Sequence, residues 1–172
     1  NTMRLFFHGL ISLMPGERDT PIYLTTGKST TNAIFHLMEE NHTPHEIYNI
    51  CYDQQNALTL GELVDRVFSN FQNNADFQKK RILKPLFTDL EAFESLASVL
   101  TGVSGMMVKQ ALDSIRPFSK QLYIEKHINN ENLLKQYPEY PSPDMAVLLD
   151  NVIQFLMREK WGASSNAHTQ AA

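Results

Sequence analysis

The stretch 46–71, EIYNICYDQQNALTLGELVDRVFSNF, constrains the fold more than any other part of the chain. Ile47, Tyr48, Ile50, Cys51 and Tyr52 form a short β-branched and aromatic run, the composition of a strand buried on both faces. Residues 53–56 then supply turn chemistry. Thr59 and Glu62 stand at capping-box spacing, where a hydroxyl and a carboxylate satisfy the orphan amide donors of a first helical turn. Behind that cap, Leu60, Leu63, Val64, Val67, Phe68 and Phe71 share one helical stripe. A helix packed on a sheet is the expectation.

The segments on either side follow the same logic. Leu5, Phe6, Phe7, Leu10, Ile11, Leu13 and Met14 predict a helix over 3–14, covered on more than one face and ended by Pro15 and Gly16. Residues 21–26 read as a strand, Gly27-Lys28-Ser29 as a turn, and Ala33, Ile34, Leu37 and Met38 as a helix stopped by Asn41 and Pro44. Two consecutive strand-turn-helix units favour an α/β fold rich in helix. Between 73 and 118 only helices are expected. Thr88 and Glu91 repeat the capping-box spacing ahead of Leu90, Phe93, Leu96, Ala97 and Leu100, and Gly102 closes that helix. Ser104 caps the next, which carries Met107, Val108, Ala111, Leu112 and Ile115 before Pro117. This helical insertion, 74–118, suits a lid, with Met106 and Met107 able to adapt to an apolar ligand, although packing alone also explains it. QLYIE at 121–125 reads as a short strand. Ser142 and Pro143 open a last helix lined by Met145, Leu148, Leu149, Val152, Ile153 and Leu156 and ended by Trp161 and Gly162. The organisation expected is one lobe, 1–162, with a flexible tail, 163–172.

At 172 residues and 42% hydrophobic content the chain can bury a core. A net charge of -4 disfavours nucleic acid, and the one dense basic run, Lys79, Lys80, Arg81 and Lys84, reads as a solvated helix face. The single cysteine, Cys51, permits no internal disulfide and fits a reducing, cytoplasmic setting. No apolar run approaches the ~20 residues of a membrane span. The opening Asn1-Thr2 before Met3 reads as a piece of a longer protein.

Several motifs tempt and fail. Gly27-Lys28-Ser29-Thr30 lies where a phosphate loop would, but the position of that motif's first glycine is Ile22. AVLLD at 146–150 imitates a magnesium-binding strand inside a helical stripe. What survives is an anion contact, such as a ligand phosphate, at Lys28 and the free amides of the following helix, against the plainer reading of an exposed turn. His36, His42 and His45 give no standard zinc set. Gly102-Val103-Ser104-Gly105 lacks the spacing of a nucleophile elbow, and Cys51 in an apolar strand is a poor thiolate. There is no dinucleotide fingerprint and no Tyr-x-x-x-Lys pair.

Four segments, MRLFFHGLISLMPGERDTPIYLTT, TNAIFHLMEE, EIYNICYDQQNALTLGELVDRV and ENLLKQYPEYPSPDMAVLLDNVIQFL, resemble in order and wording the C-terminal portion of extended short-chain dehydrogenase/reductases, in the thioester reductase and fatty acyl-CoA reductase branch. Thr26-Gly27-Lys28 stands where that family has Val-Asp-Tyr. The resemblance implies a substrate-binding lobe of a Rossmann-type enzyme that uses NADPH to reduce an acyl thioester on coenzyme A or a carrier protein. It implies no catalytic, cofactor or metal residue in this chain, a substrate-side contact at Thr26, Gly27, Lys28 and Ser29, and lid positions at Met106 and Met107. The missing Rossmann half would be the partner. The strand 47–52 would then be a bare sheet edge, re-covered by local helices or by a second copy of the chain. The alternative is a stand-alone, non-enzymatic helical interaction module.

Overall fold

The computed structural model describes residues 2–39, 46–103, 105–124 and 126–162. Asn41, His42, Pro44, His45, Ser104 and the tail 163–172 lie outside them. In chain order the elements are α1 (Thr2–Phe7), β1 (Leu13–Pro15), β2 (Pro21–Ile22), α2 (Gly27–Glu39), β3 (Leu58–Thr59), α3 (Leu60–Phe71), α4 (Ala75–Lys80), β4 (Leu86–Thr88), α5 (Leu90–Val103), α6 (Met106–Ser119), α7 (Glu131–Gln136) and α8 (Met145–Arg158). Single turns of 3₁₀ helix lie at Gln54–Asn56, Lys120–Tyr123 and Lys160–Gly162. Helices dominate and the strands are few and short, as expected.

The helix α3 forms as its sequence dictates. Thr59 Oγ1 accepts the Glu62 amide at 3.1 Å while the Glu62 carboxylate accepts the Thr59 amide at 2.8 Å, closing the capping box. The remaining first-turn donors are met from outside the helix: Leu60 N–H bonds Thr20 O and Gly61 N–H bonds Arg18 O, both at 2.8 Å. That approach demands glycine at 61, because a Cβ there would lie 3.0 Å from the Arg18 carbonyl oxygen. Leu60, Val64, Val67, Phe68 and Phe71 are buried along the expected stripe.

That stripe builds the first of two cores. Phe7, Phe68, Phe71 and Phe77 pack edge-on or tilted with ring centroids 5.2–6.0 Å apart, and Trp161 closes on Phe7 and Phe71. Phe93, Ile115, Leu149 and Ile153 join them from α5, α6 and α8. The second core gathers Ala33, Tyr52, Leu133, Tyr140 and Met145. Leu58 in β3 touches both.

Several expectations are corrected. No strand forms over 47–52. Cys51 and Tyr52 are buried there, but Ile47 is 75% exposed and the segment runs without regular structure or a β-ladder among the described residues. A β-prone run becomes a strand only where a neighbour offers a ladder, and here side-chain amides take that role. Asn130 Nδ2 donates to Cys51 O at 3.0 Å and Asn132 Nδ2 to Ile47 O at 3.2 Å, while Asn49 Nδ2 reaches Asn129 O at 2.8 Å.

The opening helix stops at Phe7. Gly9, at φ 68°, holds a left-handed C′ position in which its N–H bonds Phe6 O and the Leu10 N–H bonds Leu5 O, a Schellman cap. Its later apolar residues enter β1, which pairs in parallel with β4 in the register Leu13 to Leu86, Met14 to Phe87 and Pro15 to Thr88. The segment 73–118 therefore does contain a strand. With Thr88 in that ladder, Asp89 caps α5, accepting the Ala92 amide at 2.7 Å. The strand at 21–26 shrinks to β2, antiparallel to β3. Asp144, not Ser142, caps α8 through the amides of Ala146 and Val147. Residues 121–123 of the strand expected over 121–125 lie instead in the 3₁₀ turn Lys120–Tyr123, α5 runs past Gly102, and α6 continues through Pro117.

Candidate functional site

The expected contact residues Thr26, Gly27, Lys28 and Ser29 open α2 and do not form a separate turn. Thr26 is the cap: its Oγ1 accepts the Ser29 amide at 3.1 Å and its carbonyl accepts the Thr30 amide at 2.9 Å. Gly27 and Lys28 face outward, exposed, whereas Ser29 is buried. The hydroxyls of Thr26 and Ser29 turn inward onto Tyr52, whose OH lies 2.7 Å from Ser29 Oγ and 3.0 Å from Thr26 Oγ1 and accepts the Thr26 amide at 3.3 Å. Thr26 Oγ1 also donates to Ser29 Oγ at 2.9 Å. Thr25 extends the seam to the OH of Tyr140 at 3.2 Å.

Five hydroxyls from three distant parts of the chain thus form one hydrogen-bonded seam against the second core. Burial pushes the Tyr52 hydroxyl up, but the bonds from Ser29, Thr26 and Thr25 together outweigh it, and the net direction is down from the ordinary tyrosine value. Burial pushes Tyr140 up, offset only in part by Thr25. The seam contains no carboxylate, imidazole or amine, and Tyr52 is only 4% exposed. It fixes the start of α2 to the segment 47–52 and presents Gly27 and Lys28 on its outer side. Next to it in sequence, the Tyr23 OH is buried with no hydrogen-bond partner among the described residues.

Met106 and Met107 are 76% and 63% exposed at the start of α6. Met107 lines a cavity of 410 Å³ between α1 and α6, with Arg4, His8 and Gln110. Leu10 also borders a narrow, mainly apolar crevice of 30 Å³ between α5 and α6. A larger groove, 690 Å³, runs between α3 and α8 and is wholly polar in character. Its charges are internally paired: Arg66 meets Asp150 at 2.6 Å, Asn70 Nδ2 donates to Asp150 at 2.7 Å, and Lys84 meets Asp65 at 2.9 Å.

His36 is structural, its Nε2 2.9 Å from Gln136 O and its ring stacked on Tyr137 at 4.2 Å. Burial, and then Asp53, push the Cys51 thiol up, so the thiolate expected to be disfavoured is disfavoured. Among the described residues no three metal-ligating side chains come together. No helix of the described residues is long and apolar enough to cross a membrane.

Comparison with protein-family models, with curated proteins and with solved structures finds no match to this chain. The function must therefore be argued from the geometry. Sequence reasoning missed Tyr52 and Tyr140 as members of the seam and Arg66, Asn70 and Asp150 as a network. The only signal for the first was the Asn-rich stretch 129–132, whose side chains dock the segment that carries Tyr52.

Proposed function

We propose that this chain is the substrate-binding, C-terminal part of an NADPH-dependent thioester or acyl-CoA reductase, completed by a Rossmann-type half that carries the cofactor site and the reacting groups. The observation that carries this reading is the segment at 47–52. Its carbonyls are held by asparagines on one side, its β-prone residues lack a ladder among the described residues, and Ile47 stands in solvent. A β-prone run without a ladder keeps unpaired backbone groups that a neighbouring sheet could take up. The outer face of α2 agrees, because Ile34, Phe35 and Met38 are 46%, 61% and 72% exposed. In this reading Gly27 and Lys28 face the substrate across the interface, with Thr26 and Ser29 anchoring them from the inner side, and the acyl group enters between α1, α5 and α6.

A titration tests it. NADPH added to this chain gives no binding heat, whereas the polypeptide encoded by the whole native reading frame binds it stoichiometrically and oxidises it when acyl-CoA is present. Tight NADPH binding by the 172 residues alone, or a full-frame product inert to both ligands, would refute it. The second reading, a helical interaction module, is favoured by the same α2 face taken as a docking stripe. It requires a full-frame product with no affinity for NADPH that captures a partner through Phe35 and Met38.

A further inference from the structure

We propose that the cavity between α1 and α6 is a binding site for an anionic amphiphile: a short apolar chain that ends in a carboxylate or a phosphate monoester. The cavity is where the reductase reading admits the acyl group, but the proposal does not rest on that reading, since it requires neither NADPH nor a second half.

Charge carries the first part of the argument. Arg4 and His8 lie one helical turn apart at i, i+4, on the face of α1 that lines the cavity. Across from them α6 presents Met107, Gln110 and Ser114 at i, i+3 and i+7. Among the described residues no acidic side chain lines this cavity. Lys80 from α4 adds a further cation, its Nζ 3.5 Å from His8 Nδ1 and 5.0 Å from the Phe7 ring centre. The field is felt locally: burial, then Lys80, then Arg4 all hold the His8 imidazolium below its ordinary pKa. A guanidinium, an imidazole and a carboxamide converging on one open volume can each give a hydrogen bond to an anion's oxygens, with Arg4 able to give two.

Shape carries the second part. At 410 Å³ the cavity falls in the range of small-molecule sites. Its floor is Leu5 and Leu10, and Leu10 also borders the crevice that Leu96, Leu100, Val108 and Leu112 line between α5 and α6. Polar groups and apolar side chains therefore line one cavity, with the apolar crevice on the other side of Leu10. The crevice itself holds only 30 Å³, so the tail is short unless α5 and α6 part. Met107 at the rim, unbranched and 63% exposed, can close over a tail of variable outline.

The experiment is isothermal titration of the intact chain with octanoate, octyl phosphate and octanol, each kept below its micelle-forming concentration, repeated on Arg4→Gln and His8→Gln. Both positions are exposed, and circular dichroism verifies that the variants stay folded. The expected result is one-to-one binding of at least one anion, at least tenfold tighter than octanol. Arg4→Gln weakens the anion about fivefold or more and leaves octanol unchanged, the effect of losing one charge-assisted contact at a solvated mouth. Preference between octanoate and octyl phosphate identifies a free acid or a phosphorylated carrier as the source. Equal affinity for octanol, an unchanged anion affinity in both variants, or no binding by either anion would overturn the proposal.

Discussion

Replacing Tyr52 by phenylalanine removes one oxygen and keeps the ring, so it isolates the seam from the packing beneath it. In the native chain that oxygen serves Ser29 Oγ at 2.7 Å, Thr26 Oγ1 at 3.0 Å and the Thr26 amide at 3.3 Å. After the change Ser29 keeps Thr26 Oγ1 at 2.9 Å, but the half-buried Thr26 amide loses its acceptor. A buried donor left unmade costs about 1–3 kcal/mol. With a urea dependence of about 1–3 kcal/mol per molar, the unfolding midpoint falls by roughly 1 M without a change in slope. Ser29→Ala removes one partner and leaves the others, so it costs about 1 kcal/mol. The double variant costs less than the sum of the two, because both changes delete the same bond, with a coupling of at least about 0.5 kcal/mol. Tyr140→Phe is the control: its OH meets only the exposed Thr25, and water replaces it at a cost within about 0.5 kcal/mol. Additive costs for Tyr52 and Ser29, or a Tyr140 effect as large as that of Tyr52, would refute the seam as a coupled unit.

Phe71→Ala opens a cavity among Phe7, Phe68, Phe77 and Trp161 at a fully buried position, and equilibrium unfolding is expected to lose about 3–5 kcal/mol, against under ~1 kcal/mol if the cluster simply collapses around the gap. Asp65 bonds Lys84 and Arg18, and these bonds outweigh burial and hold its carboxyl below the ordinary 3.8. The unfolded chain therefore takes up that proton first as pH falls. The stability Asp65 adds is complete above about pH 4 and is lost below it, so Asp65→Asn flattens the acid limb of a stability profile while neutral stability changes by under ~1 kcal/mol, the side chain being 41% exposed. An unchanged acid limb in that variant contradicts the assignment.

What was legible in the sequence was what is local. The capping box and stripe of 59–71 need only contacts within one helix, and both formed. α2 and α8 were legible for the same reason, although α8 and α5 start at different cap residues from the ones expected, because several polar residues compete at a helix start and tertiary contacts choose among them. Thr88 illustrates the choice: the parallel ladder with Pro15 takes its backbone, and Asp89 is left to cap. Ladders of two or three residues leave no periodicity to read, and the β1 to β4 pairing spans residues 13 to 88. The seam was half legible. Thr26 and Ser29 were singled out, but their partner Tyr52, like the Tyr140 that bonds Thr25, arrives from far along the chain, and nothing in the neighbourhood of either tyrosine marks it.

The two cores explain how the outer face of α2 can stay apolar in a folded chain. α3 and α8 hold the first core together through Phe68, Phe71, Leu149 and Ile153, and none of these depends on α2. α2 enters only the second core, through Ala33 and Leu37, and is pinned at its start by the hydroxyl seam. Its inward side is thus fixed by one small buried residue and a set of directed bonds, not by a broad apolar stripe. Burial of Ala33 leaves Ile34, Phe35 and Met38 on the opposite side, since residues one and two apart cannot share a face of a helix. Of the larger apolar residues of α2 only Leu37 packs on its own core, while Ile34, Phe35 and Met38 form an exposed apolar face. The segment carrying Tyr52 is tied to the same helix by the seam, so whatever covers one is held in register with the other.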